Sequence, residues 1–299
     1  MLPTLSVANK TNKDDMDALC GATVVDKTMY VVGGLGHNIV LQTTTGATFK
    51  KIGTKGRGLR GIHVDERGTW ICGEYGTLYR STRGVSSFKQ LKLATGVCLF
   101  TITRAVDGTY WIGGEDGFLA RSDNGVKWTK VAGLRGTVGK LVATEAGTYI
   151  PTLDGLYIAN GTKLRKLGLP RPVNHLVVTR EDTLVAVGVA NSIYRSVDGG
   201  VKFKPAKKPA FAAAKVPASR RLSRPYWIGQ SKDINVIAEL GDGRLVAAGD
   251  QGVILASDDD GKTFQKVPNA LFAGSIWGIA AFRGDVYLAG EAKTILRVR

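Results

Sequence analysis

Two Asp-rich stretches hold the residue types and spacing that could do chemistry: "YRSVDGGVKF" (Tyr194 to Phe203) and "LASDDDGKTF" (Leu255 to Phe264). Closely spaced carboxylates can hold Ca²⁺ or supply a general acid or base. Three acids stand in a row at Asp258 to Asp260, yet no Glu follows where an EF-hand loop would close on its ion. A structural role fits the residue order better. An Asp carboxylate can accept backbone N–H bonds within its own turn, Gly supplies positive φ, and a trailing aromatic can pack below. Related copies recur at "SDNGVKW" (Ser122 to Trp128) and, more worn, at "STRGVSSF" (Ser81 to Phe88). Several decaying copies suit a local folding device, because a catalytic residue is needed only once.

Little else nominates an active site. His occurs only at 37, 63 and 175, and there is no Gly-x-Ser-x-Gly, no P-loop and no His/Cys cluster. The expectation is therefore no catalytic residue, no metal and no cofactor. Cys20, Cys72 and Cys98 are odd in number, lack metal-ligand spacing and sit among apolar neighbours ("WICGE", "GVCLFTI"), which suits buried thiols in a reducing compartment. The start of the chain lacks a cationic segment followed by an apolar one, and no window holds 18 consecutive apolar residues. A cytoplasmic protein without a transmembrane segment is expected. Its 41 Lys and Arg against 25 Asp and Glu give a net charge of +16, an electrostatic preference for an acidic partner.

The elements that position these loops follow from their spacing. Phe49, Phe88, Trp128, Leu164, Phe203 and Phe264 occupy corresponding places, about forty residues apart except for the last step. That step contains an added segment, "KKPAFAAAKVPASRRLSRPYWIGQSKD" (Lys207 to Asp233). Each period reads as an apolar run, a turn, a run ending in Gly ("WICG", "YWIGG", "LVAAG"), a short hairpin, a third run ("TLYRS", "SIYRS", "VILAS"), the Asp-rich loop and a short fourth run. Short β-branched or aromatic runs between Gly/Asp turns are strands, and four per forty residues predict propeller blades. Blade starts fall near Gly21, Gly61, Cys98, Lys140, His175, Asn235 and Trp277. The expected fold is all-β: a seven-bladed β-propeller of four-stranded antiparallel blades, in one domain over 1–299 with the insertion at 207–233 between blades five and six. Because the chain stops after "TILRVR", the last blade lacks its outer strand, which the N-terminal "LPTLSV" can supply.

The loops also resemble a known group. Ser196, Asp198, Gly200 and Phe203, and likewise Ser257, Asp259, Gly261 and Phe264, fit the Asp-box pattern Ser-x-Asp-x-Gly-x-x-aromatic. Ser122, Asp123 and Trp128 form a copy one residue short. This is similar to the Asp-box, or bacterial neuraminidase repeat, propellers. The combination of hairpin, "RSVDGG" loop and aromatic is similar to the photosystem II assembly factor family. The resemblance implies a structural Asp box and chaperone-like binding, without fixing an activity. For the sialidases it implies an Arg cluster, a Tyr nucleophile and an acid/base Asp. Arg57, Arg60, Arg135 and Arg171 could mimic the first, but the family's Phe/Tyr-Arg-x-Pro segment is absent and no Tyr–Glu pairing stands out.

Strand alternation puts the second-to-third hairpins and the blade-to-blade connections on one face, here called the top, and the Asp-rich loops on the bottom. Glu74, Glu115, Asp154, Asp250 and Glu291 fall in the top hairpins, as an acidic ring or merely as polar turn residues. The connections carry Arg57, Arg60, Arg135, Arg171, His175 and Trp277. The insertion adds Arg220, Arg221, Arg224, Tyr226 and Trp227, and as a connection it too is expected on top. These residues are the expected partner-binding set of a non-enzymatic assembly scaffold for an acidic protein. Nucleic acid on the same cationic surface, and a sialidase-like hydrolase, stand as alternatives.

Overall fold

Strands of two to seven residues, each stopped by a Gly or Asp turn, fall into seven four-stranded antiparallel sheets. The computed structural model describes residues 2–9, 17–34, 38–52, 58–169, 171–209 and 233–299. Six sheets take their strands in chain order, from an innermost strand such as Leu59–Asp65 outward through Gly68–Gly73 and Leu78–Ser81 to Lys89–Leu91. The seventh joins Ile276–Phe282, Asp285–Gly290 and Ile295–Val298 to the N-terminal strand Leu5–Asn9. Leu5 lies opposite Val298 and Val7 opposite Leu296, and Thr4 and Arg299 exchange backbone hydrogen bonds of 3.0 and 3.1 Å. The molecule is a seven-bladed β-propeller, closed through its N-terminal strand.

Each sheet is apolar on both faces, so each must be covered by its neighbours. Seven apolar clusters result, one at each blade interface. The aromatics that mark the repeat belong to them: Phe88 packs against blade one, Trp128 against blade two, Phe203 against blade four and Phe264 against blade five. In blade two, Trp70 has no exposed surface, stacks on Tyr110 of blade three at 4.5 Å between ring centroids, and donates Nε1–H to Gly125 O at 2.8 Å. Gly125 has φ +68° and lies so close that a Cβ would fall 2.6 Å from the Trp70 ring, which requires glycine. Polar fasteners cross the bottom edges as well. Asp260 of blade six accepts from Thr179, Thr183 and Arg195 of blade five at 2.8, 2.6 and 2.5 Å.

The bottom loops have the geometry of a self-satisfied turn. Asp198 Oδ1 accepts the Ser196 hydroxyl at 2.7 Å and the backbone N–H groups of Val201 and Lys202 at 3.1 and 3.0 Å, while Gly200 N–H donates to Ser196 Oγ at 3.0 Å. Ser257, Asp259 and Gly261 repeat the arrangement. In blade three the expected Asp123 is replaced in this role by Asn124. Its Oδ1 accepts from Ser122 Oγ at 3.2 Å and from the N–H groups of Val126 and Lys127 at 2.9 Å, while Asp123 is exposed. The loop is one residue shorter, so the acceptor that reaches its centre is the one directly before Gly125. Blade one makes the same turn with Thr43 and Thr45 as acceptors. Accordingly, Asn124→Ala should lower stability by about 1 kcal/mol, as expected for a lost turn acceptor, and Asp123→Ala should change it by less than about 0.5 kcal/mol. Paired urea melts measure the difference; equal effects would return the role to Asp123.

Outer strands form the wall of the cylinder. In blades one to six they read "KKI", "KQL", "TKV", "KLRK", "KP" and "QK". All nine of their Lys and Arg residues are exposed, and none of these strands contains an acid.

Candidate functional site

The innermost strands surround an axial tunnel, and its top mouth is shaped by a repeated irregularity. In five blades the first strand bulges near its top, leaving one extra residue: Cys20, Arg60, Phe100, Asn235 and Trp277. A bulge re-aims the side chain it frees. Nothing in the 3.6- or 2-residue periodicities marks such a position, so the sequence assigned Arg60 and Trp277 to connections.

The hairpin acids serve these bulges. Glu74 Oε1 takes a hydrogen bond of 2.5 Å from the Arg60 guanidinium, which also donates to Cys20 Sγ at 3.1 Å. Glu115 accepts the Cys98 N–H at 3.0 Å, and Asp250 accepts the Asn235 amide at 3.0 Å. Asp154 is held outside the tunnel by Tyr157 and Lys166, at 2.7 and 2.8 Å. These four carboxylates act as internal fasteners. Asn174 and Asn235 continue the lacing from blade to blade, donating to Ile234 O at 3.0 Å and Ile276 O at 3.1 Å.

Below the mouth lies a cavity of about 150 Å³ whose lining includes Phe100, Thr101, Lys140, His175 and His63, with no Asp or Glu. Lys140 crosses the axis to donate to Cys20 O, 2.9 Å away in blade one. Burial holds its amine below the usual lysine range. His175 accepts the Ile237 N–H on Nδ1 at 3.1 Å; burial, with Lys140 close by, pushes its pKa down to about 3. Burial also pushes the Cys98 thiol up to about 12 and Cys72 higher; all three cysteines are free and buried.

The expected binding residues therefore occupy different settings. Arg135 and Arg171 are exposed on the top connections, and Trp277 is half-buried at the mouth. Arg60 is 4% exposed and engaged by Glu74, so it joins no open Arg cluster. His175 faces the tunnel. Arg57 and the insertion residues Arg220, Arg221, Arg224, Tyr226 and Trp227 lie outside the described residues. The described ends of that insertion are Lys207, whose backbone bonds Lys262 and Phe264 of blade six, and Asp233, which accepts from Ala190 at the top of blade five.

An exposed residue that the sequence reading passed over is Tyr75. It is 80% exposed at the tip of the blade-two hairpin, with φ 56°. Asp116, Gln251 and Ala292 hold the corresponding left-handed position in other hairpins. A bulky aromatic is disfavoured in that conformation, and an exposed one gains nothing from packing. Leu153 and Leu271, 45% and 43% exposed, add apolar surface on the same face.

Two buried groups give the fold an opposed pH response. The unfolded chain binds a proton at His175 between about pH 6.5 and 3 that the folded chain does not, so stability falls as pH drops through that window. Burial raises Asp250 to about 6, so the folded chain holds an extra proton between pH 3.8 and 6, and stability falls as pH rises there. The two slopes oppose each other where they overlap. Asp250→Asn should thus expose a steady loss of melting temperature from pH 6.5 down to 4.5, and adding His175→Gln should flatten it. A pH-independent melt for the Asp250→Asn protein would contradict the assignment.

No protein-family profile matches the chain, and no curated protein sequence matches it. Solved structures do resemble it in fold. A catalytically inactive virginiamycin B lyase from Staphylococcus aureus with quinupristin has a TM-score of 0.75 at 14% identity, covering 99% of both chains. YCF48 bound to D1 peptide has a TM-score of 0.71 at 15% identity, over 99% of this chain and 94% of that one. The WD40 propeller domain of Doa1 has a TM-score of 0.73 at 12% identity, over 99% and 97%. Similarity at these identities is similarity of fold, shared by a lyase and by a propeller bound to a peptide. Among the described residues no helix is long and apolar enough to cross a membrane.

Proposed function

We propose that this propeller is a non-enzymatic binding scaffold that captures an acidic protein partner on its top face, aided by the 207–233 insertion. The observation that carries this reading is the division of charge at the mouth. Glu74, Glu115 and Asp250 are turned to internal partners, whereas Arg135 and Arg171 face solvent on the same face as the exposed Tyr75. Exposed tyrosine and arginine are residue types that interface hot spots favour. The peptide-bound YCF48 propeller among the fold relatives supports a scaffold role. The bottom turns fit an Asp-box ancestry, and three free, buried thiols suit a reducing compartment such as the cytoplasm.

Affinity capture compared by quantitative mass spectrometry between the unaltered chain and Tyr75→Ala/Arg135→Glu/Arg171→Glu tests the reading. Acidic proteins retained by the first and lost from the second are expected. A capture profile unchanged by the three substitutions would overturn it.

A further inference from the structure

Among the described residues a marked charge asymmetry lies on the wall. Over the whole chain cations exceed acids by 41 to 25, but in the six outer strands the described counts are nine and none. Lys50, Lys51, Lys89, Lys130, Lys163 and Arg165 are exposed representatives, at least one from each of blades one to four. Of the nine, among the described residues, Lys166 alone has a carboxylate partner, Asp154. The belt stops at blade seven, whose outer strand Leu5–Asn9 carries no charge.

Lysine on an edge strand also discourages edge-to-edge pairing, which explains one charge per strand. It does not explain the excess. Cross-strand register sets Lys89 opposite Arg80, and like charges directly opposite destabilise a sheet; the second such pair, Lys204 with Arg195, has Asp260 bound to its arginine. Eight of the nine wall cations have no carboxylate partner among the described residues, which points to a ligand that supplies the missing negative charge.

We infer that the outer wall of blades one to six is a track for duplex nucleic acid, contacted through its phosphates without reading of bases. A regular polyanion suits cations repeated from blade to blade. The exposed large apolar side chains include no aromatic on these strands, which argues against stacked single strands and against the aromatic anchors of a protein interface. This surface is distinct from the top face, so the inference stands or falls separately from the scaffold reading.

The test is fluorescence anisotropy of the full chain with a labelled random-sequence 30-bp DNA duplex. If six or more phosphates are engaged, affinity should fall by about 10³-fold or more between 50 and 200 mM salt. Lys50→Glu/Lys51→Glu/Lys130→Glu/Lys163→Glu/Arg165→Glu, which leaves 207–233 intact, should bind at least about 100-fold more weakly at 50 mM, with a shallower salt slope. Lys50→Arg/Lys51→Arg/Lys130→Arg/Lys163→Arg should bind as the unaltered chain does, and it covers the case in which the reversal variant does not fold. Absence of binding at 50 mM salt, or full binding by a folded reversal variant, would overturn the inference. So would displacement by polyglutamate as effective as by unlabelled duplex, which would assign the wall to acidic protein instead.

Discussion

Replacing Trp70 by Ala is expected to remove about 3–5 kcal/mol of stability, the range for emptying a fully buried aromatic site. The indole fills the interface of blades two and three, where it meets Tyr110 and receives the Arg80 guanidinium at 5.0 Å from its ring centre. Its loss also strands the Gly125 carbonyl that Nε1–H satisfies. For a chain of this size the melting temperature should drop by roughly 10 °C. Trp70→Phe separates the two causes: it retains most of the volume and loses the hydrogen bond, so about 1–2 kcal/mol should go. Calorimetry measures both. A Trp70→Ala loss below about 1 kcal/mol would mean that the neighbouring blades collapse to fill the space.

Removal of residues 1–7 should destabilise the fold on the same scale, about 5 kcal/mol, through several lost strand hydrogen bonds and the uncovering of the edge that Leu296 and Val298 now share with Leu5. The truncated chain would present an unpaired strand at 295–298, so light scattering should detect association at concentrations where the full chain is monodisperse. A synthetic peptide of residues 1–9 added in excess should restore the melting temperature. Unchanged stability after truncation would mean that the seventh blade stands with three strands.

The architecture was legible in the sequence because its punctuation repeats. Phe88, Trp128, Phe203 and Phe264 mark the same interface position in blades two, three, five and six, and a missing last strand with an unmatched first one implied closure through "LPTLSV" (Leu2 to Val7), a strand the structure shifts to Leu5–Asn9. Function-bearing detail was less legible for physical reasons. The turn acceptor in blade three is Asn124 and not Asp123 because distance to the loop centre decides, not residue type. Arg60 looked like a surface cation, but a bulge turns it inward onto Glu74. The cation belt was present in "KKI", "KLRK" and their counterparts, but short outer strands have no periodicity of their own, and only assembly shows that they share one wall.

Pairing of Leu5 with Val298 also sets a schedule for biosynthesis. Blades one to six can form in order as they leave the ribosome, since each is built from consecutive chain. The ring cannot be completed until residues 295–298 emerge, so until then the growing ring has two open ends. Strand Leu5–Asn9 must wait, unpaired, until residues 295–298 are made, and closure joins positions 5 and 298, the kind of long-range contact that forms slowly. Completion of the ring is therefore a late step that follows the making of all seven blades.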